Sequence, residues 1–170
     1  SYDRVQLFEE LADNAVDGLF ALDSNGYIEY CNQSYAAMAD YDCSELLGAH
    51  VSKTMAEGEL ERAQAVLSDL LQSDRESDTI DMSIATSDGD HVDVSYHFKP
   101  RETADDEYGG LIGVVRDISD RKQRERELEQ YRTLVESAGD PMYVLDKTGH
   151  IRVCNEAMVE FAGVERTDLH

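Results

Sequence analysis

Histidine and cysteine are the side chains best suited to hold a metal or to carry nucleophilic and redox chemistry, and this chain has five of the first and three of the second. His91 and His97 lie on one face of an alternating segment, six residues apart. A metal ion needs three or four converging ligands, so this pair would require others from elsewhere in the fold. A solvated strand face is the simpler reading, and no metal site is expected. Cys31, Cys43 and Cys154 form no CxxC pair and no metal-ligand spacing. A thiol sensor would need a thiolate stabilised by a cation or a helix end, and the sequence shows no such arrangement. There is no Ser-His-Asp order, no P-loop and no glycine-rich nucleotide motif, so these residues are expected to catalyse nothing. What remains is non-covalent chemistry, carried out by elements that enclose or expose apolar surface.

The chain has 170 residues, enough for one domain and part of another. Acids outnumber bases 37 to 15, for a formal net charge of −22, while 41% of residues are hydrophobic. That is an ordinary globular content, too high for a disordered acidic tail. Phosphate binding needs a basic surface, so nucleic acid is not an expected partner. No apolar run approaches the ~20 residues of a membrane span, and no signal peptide is visible. A reducing cytoplasm is the expected compartment. Dispersed aspartates with only four lysines resemble the surfaces of proteins from salt-loving archaea. Self-repulsion between such charges is screened at molar salt, where the Debye length falls to about 3 Å.

Residues 11–46 align without a gap on residues 134–169, with Leu22/Leu145, Asp23/Asp146, Gly26/Gly149, Ile28/Ile151, Cys31/Cys154 and Asn32/Asn155 among the identities. A repeat of this length points to a duplicated domain. The expected division is a whole domain over 1–117, a connecting helix over 118–134 and the opening of a second domain over 135–170. In the first domain, Tyr2 to Asn14 reads as an amphipathic helix with Val5, Phe8, Leu11 and Ala15 on its apolar stripe. Leu19 to Asp23 and Tyr27 to Cys31 form a hairpin around Ser24-Asn25-Gly26, a turn sequence that tolerates positive φ. Short helices follow from Asn32, with Glu59 to Leu71 the longest. Ile80 to Ile84 and Val92 to Phe98 alternate apolar and polar residues around an Asp88-Gly89 turn, and Leu111 to Val115 is apolar on both faces. Two strands, several helices and three strands predict an α+β fold, with a five-stranded antiparallel sheet and helices packed on one face.

Three stretches carry a family resemblance. They are Asp17-Gly18-Leu19-Phe20-Ala21-Leu22-Asp23 with Gly26-Tyr27-Ile28 and Asn32, then Tyr41 through Glu45-Leu46-Leu47-Gly48, and then Gly113-Val114-Val115-Arg116-Asp117-Ile118-Ser119-Asp120. In this order they resemble a PAS domain, and Gly139 to Asn155 repeats the opening. The resemblance implies a sensor module, most often of a histidine kinase and sometimes of a transcription regulator such as the bacterio-opsin-activator-like proteins of halophilic archaea. It also implies a site, the space between sheet and helices. Strand alternation directs Phe20, Leu22, Ile84, Val94, Tyr96, Phe98, Leu111, Gly113 and Val115 inward, with Met55, Val66 and Leu70 facing them from the helices. This set fits a filled core as well as a pocket for a small apolar or aromatic ligand, with the Tyr96 hydroxyl as a polar handle and Gly113 as open space.

Flavin-binding light sensors of the family carry a cysteine three residues after the glycine matching Gly48. Here that residue is Val51. Haem-binding members place a histidine on the long helix, and Glu59 to Leu71 has none. Neither cofactor is expected. Asp117, Ile118 and Ser119 match the motif that joins the last strand to a signalling helix, and are the expected coupling point. Beyond them, Leu128, Tyr131, Val135 and Ala138 recur at spacings of 3, 4 and 3, a short coiled-coil seam. A homodimer through the flanking helices is expected, with a downstream kinase or regulator as the output partner. A ligand-free dimerisation and relay module is the alternative.

Overall fold

The computed structural model describes Leu7, residues 10–105 and residues 107–163. The N-terminal stripe residues Val5 and Phe8 lie outside them. The chain divides into two compact units, Ser1–Asp120 and Arg121–His170.

In the first unit, β1 (Gly18–Leu22) and β2 (Ile28–Cys31) form the expected hairpin. Its turn is closed by the Asp23 carboxylate, which accepts the N–H groups of Asn25 at 2.8 Å and Tyr27 at 2.9 Å. Gly26 supplies the positive φ of +86° that this turn requires. Helices α1 (Gln33–Met38) and α2 (Cys43–Leu46) follow, then a single 3-10 turn over Val51–Thr54 and α3 (Glu59–Leu71). Glu59 and Glu61 sit in the first turn of α3, where carboxylates complement the helix dipole. The remaining strands are β3 (Asp78–Ala85), β4 (His91–Glu102) and β5 (Tyr108–Asp117). All pairings are antiparallel, in the order β2-β1-β5-β4-β3. This is the α+β architecture expected. Strands β4 and β5 run past the predicted apolar segments because the ladder continues through Pro100 to Glu102 and Tyr108.

Register explains where the interior is full. At one end of the sheet Gly18 pairs with Val115 and Ile84 with Val92. Here Tyr35, Leu70, Ile84, Val94 and Val115 are all buried to within 1% of complete. At the other end Leu22 pairs with Leu111, and Gly113 with Phe20 and Phe98.

Asn32 is fully buried and does more than cap α1. Its Oδ1 accepts from Leu19 N–H at 2.8 Å and Tyr35 N–H at 3.1 Å, and its Nδ2 donates to the carbonyls of Ala12 at 2.7 Å and Asp17 at 3.1 Å. One side chain thus fastens the end of the N-terminal helix, the start of β1 and the start of α1.

The second unit contains most of α4 (Ser119–Ser137), then β6 (Tyr143–Leu145), β7 (Ile151–Cys154) and α5 (Glu156–Ala162). Asn155 repeats the clasp at the same offset as the sequence repeat. Its Oδ1 accepts from Met142 and Met158 N–H groups, and its Nδ2 donates to Val135, Ala138 and Asp140 carbonyls. The turn is repeated as well. Thr148 Oγ1 at 2.6 Å and the backbone N–H groups of His150 and Thr148 hold the Asp146 carboxyl below its ordinary pKa. Tyr143, Val144, Leu145 and Val153 are half exposed, because no further strands cover this hairpin among the described residues.

Candidate functional site

A cavity of about 190 Å³ lies between the open end of the sheet and α3. Phe20 and Leu22 of β1, Tyr96 and Phe98 of β4, Leu111 of β5 and Met55 after the 3-10 turn line it. These six belong to the inward set read from strand alternation. The structure adds Ile80 and Met82 of β3, Val51, Tyr108, and from α3 Leu60, Ala63, Gln64 and Leu67. Ser24, Asn25, Gly26 and His50 complete the lining.

The other expected lining residues lie elsewhere. Ile84, Val94, Val115 and Leu70 belong to the filled end of the core. Val66 packs against that core, while 60, 63, 64 and 67 form the α3 face on the cavity. Gly113 gives no room to a ligand. A Cβ there would lie 2.3 Å from the His97 carbonyl oxygen and 2.8 Å from the Phe20 ring, so the aromatic ring already occupies the space beside it.

Thr54 and Tyr35 are fully buried and lie outside the cavity lining. Thr54 donates its hydroxyl hydrogen to the Val51 carbonyl at 3.0 Å. Its oxygen is therefore the acceptor in the 3.1 Å contact with the Tyr35 hydroxyl, which donates. The Tyr96 hydroxyl is buried among those of Tyr35 and Thr54. Burial, with the neighbouring Tyr35 phenol adding to it, pushes the Tyr96 pKa well above its usual value, so the group stays a neutral O–H. Phe20 packs edge-on against Tyr96, with ring centroids 5.6 Å apart.

At the turn end of the cavity, His50 Nδ1 accepts from Ser52 N–H at 3.2 Å and lies 2.8 Å from Ser52 Oγ. His50 packs edge-on to Tyr27 at 5.3 Å, and its Nε2 would stand 2.8 Å from a Cβ at position 26. Gly26 is needed there twice, for its φ and for this close approach. No lining residue is an Asp, Glu, Lys or Arg.

The expected coupling residues stand at the end of β5. Asp117 pairs with Val94, and its Oδ1 accepts from Ser119 N–H, the first of α4, at 2.8 Å. Ile118 is buried and donates its N–H to the Asp93 carbonyl at 2.9 Å. The helix begins where a buried residue and a carboxylate both hold it to the sheet.

Cys31 is buried and its thiol is pushed up to about 12, by burial first and by the neighbouring Cys43 second. Such a thiol is a poor nucleophile at neutral pH. His97 Nδ1 contacts Thr79 Oγ1 at 2.9 Å. Among the described residues, no three His, Cys, Asp or Glu side chains converge as metal ligands, and no helix is long and apolar enough to cross a membrane.

The profile of the PAS family, described as the PAS fold, matches residues 6–118 and again 129–169. The chain therefore belongs to the PAS family and contains a PAS sensory domain. Sporulation kinase C of Bacillus subtilis is 28% identical over 129 residues, covering 72% of this chain. The chain spans 29% of that kinase's length. The PAS domain of an HTR-like protein from Haloarcula marismortui is 26% identical, with a TM-score of 0.59 over 69% of this chain and 93% of that one. A PAS domain from Colwellia psychrerythraea, 18% identical, shares the fold with a TM-score of 0.62, over 69% of this chain and 99% of that one.

Sequence reasoning missed Asn25, Gly26 and His50 as lining residues. The glycine was read only as a turn former, and no periodic pattern links His50 to it. The bridge between Tyr27 and His50 that brings them together is a tertiary contact.

Proposed function

We propose that this chain is the non-catalytic input region of a cytoplasmic sensor histidine kinase. In this reading it binds a small ligand in the first PAS domain and passes the resulting shift to the output domain. One observation carries the proposal. Strand β5 contributes Leu111 to the cavity wall and, six residues on, ends at Asp117, whose carboxylate holds the first turn of α4. A change in cavity occupancy displaces the strand that launches the helix. The kinase relative supports a kinase output.

Dimerisation belongs to the same proposal. Leu128, Tyr131 and Leu134 form an α4 stripe that is 65–68% exposed, and Ile112 on the outer face of β5 is 43% exposed. Such apolar surface is best covered by a second copy around a two-fold axis. High salt favours this by screening the −22 charge of each chain.

The test uses the full-length parent protein in molar KCl. Asp117→Ala removes a contact of about 1 kcal/mol, comparable to the gap in a two-state relay. It should uncouple output from signal while the circular dichroism spectrum stays unchanged. Unaltered signalling would refute the coupling. Light scattering should show a dimer that Leu128→Glu weakens, and a wild-type monomer at tens of micromolar would refute the helical interface.

A further inference from the structure

Two of the three cysteines meet in the fold. Cys31 is the last residue of β2 and Cys43 the first of α2. The short helix packs on that strand, and Cys43 packs against the buried core to which Cys31 belongs. Cys43 Sγ also lies 3.8 Å from Oε1 of Gln33, two residues on from Cys31. The two thiols are neighbours within hydrogen-bonding reach. We propose that Cys31 and Cys43 are a modification site, a dithiol that a small hydroperoxide converts to a disulfide.

The two thiols have different roles. Cys31 is 6% exposed, and burial keeps its proton on at neutral pH. Cys43 is only partly buried, so it is the thiol an oxidant reaches. The oxidant must approach a chain of net charge −22. A neutral hydroperoxide is not repelled, whereas an anionic disulfide is. With hydrogen peroxide, the Cys43 thiolate sulfur bonds to one oxygen, the O–O bond breaks, and the departing hydroxide takes a proton to become water. Cys43 is then a sulfenic acid. The Cys31 sulfur attacks the Cys43 sulfur, the S–O bond breaks, and the leaving hydroxide takes the Cys31 proton as a second water. The two thiols lose two electrons and the peroxide gains them. Cys31 is a weak nucleophile, but its target is held beside it, which makes the second step intramolecular.

The new bond closes residues 31–43 into one ring that contains the Asn32 clasp and α1. Tyr35 of α1 packs on Phe20 of the cavity wall, with ring centroids 6.0 Å apart. Oxidation thus ties down a segment that touches the cavity wall. The second unit has half of the pair: Cys154 matches Cys31, but the residue matching Cys43 is Arg166. Cys154 is therefore the internal control.

The test treats the whole chain in molar KCl with hydrogen peroxide, alkylates the remaining thiols after unfolding, and maps chymotryptic peptides by mass, since Tyr35 and Tyr41 lie between the two cysteines. The Cys31 and Cys43 peptides should appear joined and short of two hydrogens, with Cys154 alkylated. Dithiothreitol should separate them. The oxidised chain should melt roughly 10 °C above the reduced one, the effect of closing a loop of this length. Cys43→Ser should abolish both the link and the gain, and Cys154→Ser should keep both. Three alkylated thiols after peroxide, a link through Cys154 or between chains, or an over-oxidised Cys43 beside an alkylated Cys31 would overturn the site. A linked chain that melts no higher than the reduced one would overturn it as well, because the bond would then not fit the native fold. The wild-type peptide map and melting curve decide the matter even where a serine variant fails to fold.

Discussion

Replacing Asn32 by alanine tests the clasp that ties the N-terminal helix to the sheet. The substitution removes four hydrogen bonds between 2.7 and 3.1 Å. The Ala12 carbonyl keeps another partner, the Ala15 N–H at 3.2 Å. The N–H groups of Leu19 and Tyr35 and the Asp17 carbonyl lose the partner that Asn32 provides. At a net value near 1 kcal/mol per bond the loss is roughly 3–4 kcal/mol, allowing for some water entry. For a domain of this size, at roughly 4 °C per kcal/mol, the melting temperature should fall by about 12–16 °C. Thermal unfolding followed by circular dichroism in molar KCl measures it. Hydrogen exchange should show lost protection around Leu19 and Tyr35. Asn155→Ala is the internal control, because it deletes the same partners around a hairpin whose strands are largely exposed. It should leave the main transition in place and abolish protection in β6 and β7 alone. A loss below about 1 kcal/mol for Asn32→Ala, the worth of a simple cap, would refute the clasp.

Three further outcomes follow from named contacts. Gly113→Leu should destabilise the first unit by more than about 3 kcal/mol, above the usual cost of overpacking, because its Cβ would meet the His97 backbone oxygen at 2.3 Å; a melting temperature within a few degrees of wild type would contradict the close approach. The Arg116 guanidinium, hydrogen-bonded to Asp17 at 2.8 Å, holds the Asp17 pKa below its ordinary value. A depressed folded-state pKa stabilises above the unfolded carboxylate value of about 3.9 and ceases to do so as pH falls through the folded one. The melting difference between wild type and Arg116→Ala should therefore be present at pH 7 and shrink towards pH 3, and a difference that grows on acidification would refute the pairing. Melting in a KCl series should rise from low to molar salt, since the chain carries −22; a flat curve would refute the reading of its acidity.

The parts legible in the sequence are those set by period and by turn chemistry. Glu59–Leu71 forms a helix between its expected bounds, because the apolar spacing and Gly58 mark its face and its start. The Ile80 and Val92 segments became paired strands because period-two alternation buries one face. Alternation says which side of the sheet a residue faces. It does not say how closely a helix approaches along the strand. Val94 and Phe98 share a face, yet Val94 meets the filled core and Phe98 the cavity. On α3 the same limit exchanged Val66 and Leu70 for Ala63 and Leu67, neighbours on one broad apolar stripe. Asn32 was legible as the start of the short helices, and Asn favours the cap position it takes there. Its bonds to Ala12 and Asp17 span 20 and 15 residues, and no local pattern encodes them.

The duplicated clasp makes the joint between helix and hairpin a property of each unit. The bonds that Asn32 makes to Ala12, Asp17, Leu19 and Tyr35 are those that Asn155 makes to Val135, Asp140, Met142 and Met158. A chain cut after Leu11 and rejoined at Val135 would keep every partner of the second clasp and lose one whole period. The same cut, made in two different tandem sensors, defines a seam at which their units can be exchanged. Chimaeras joined there inherit an intact hinge from whichever parent supplies the hairpin. An array can then lengthen or shorten by whole units without a new way of attaching a helix to a sheet.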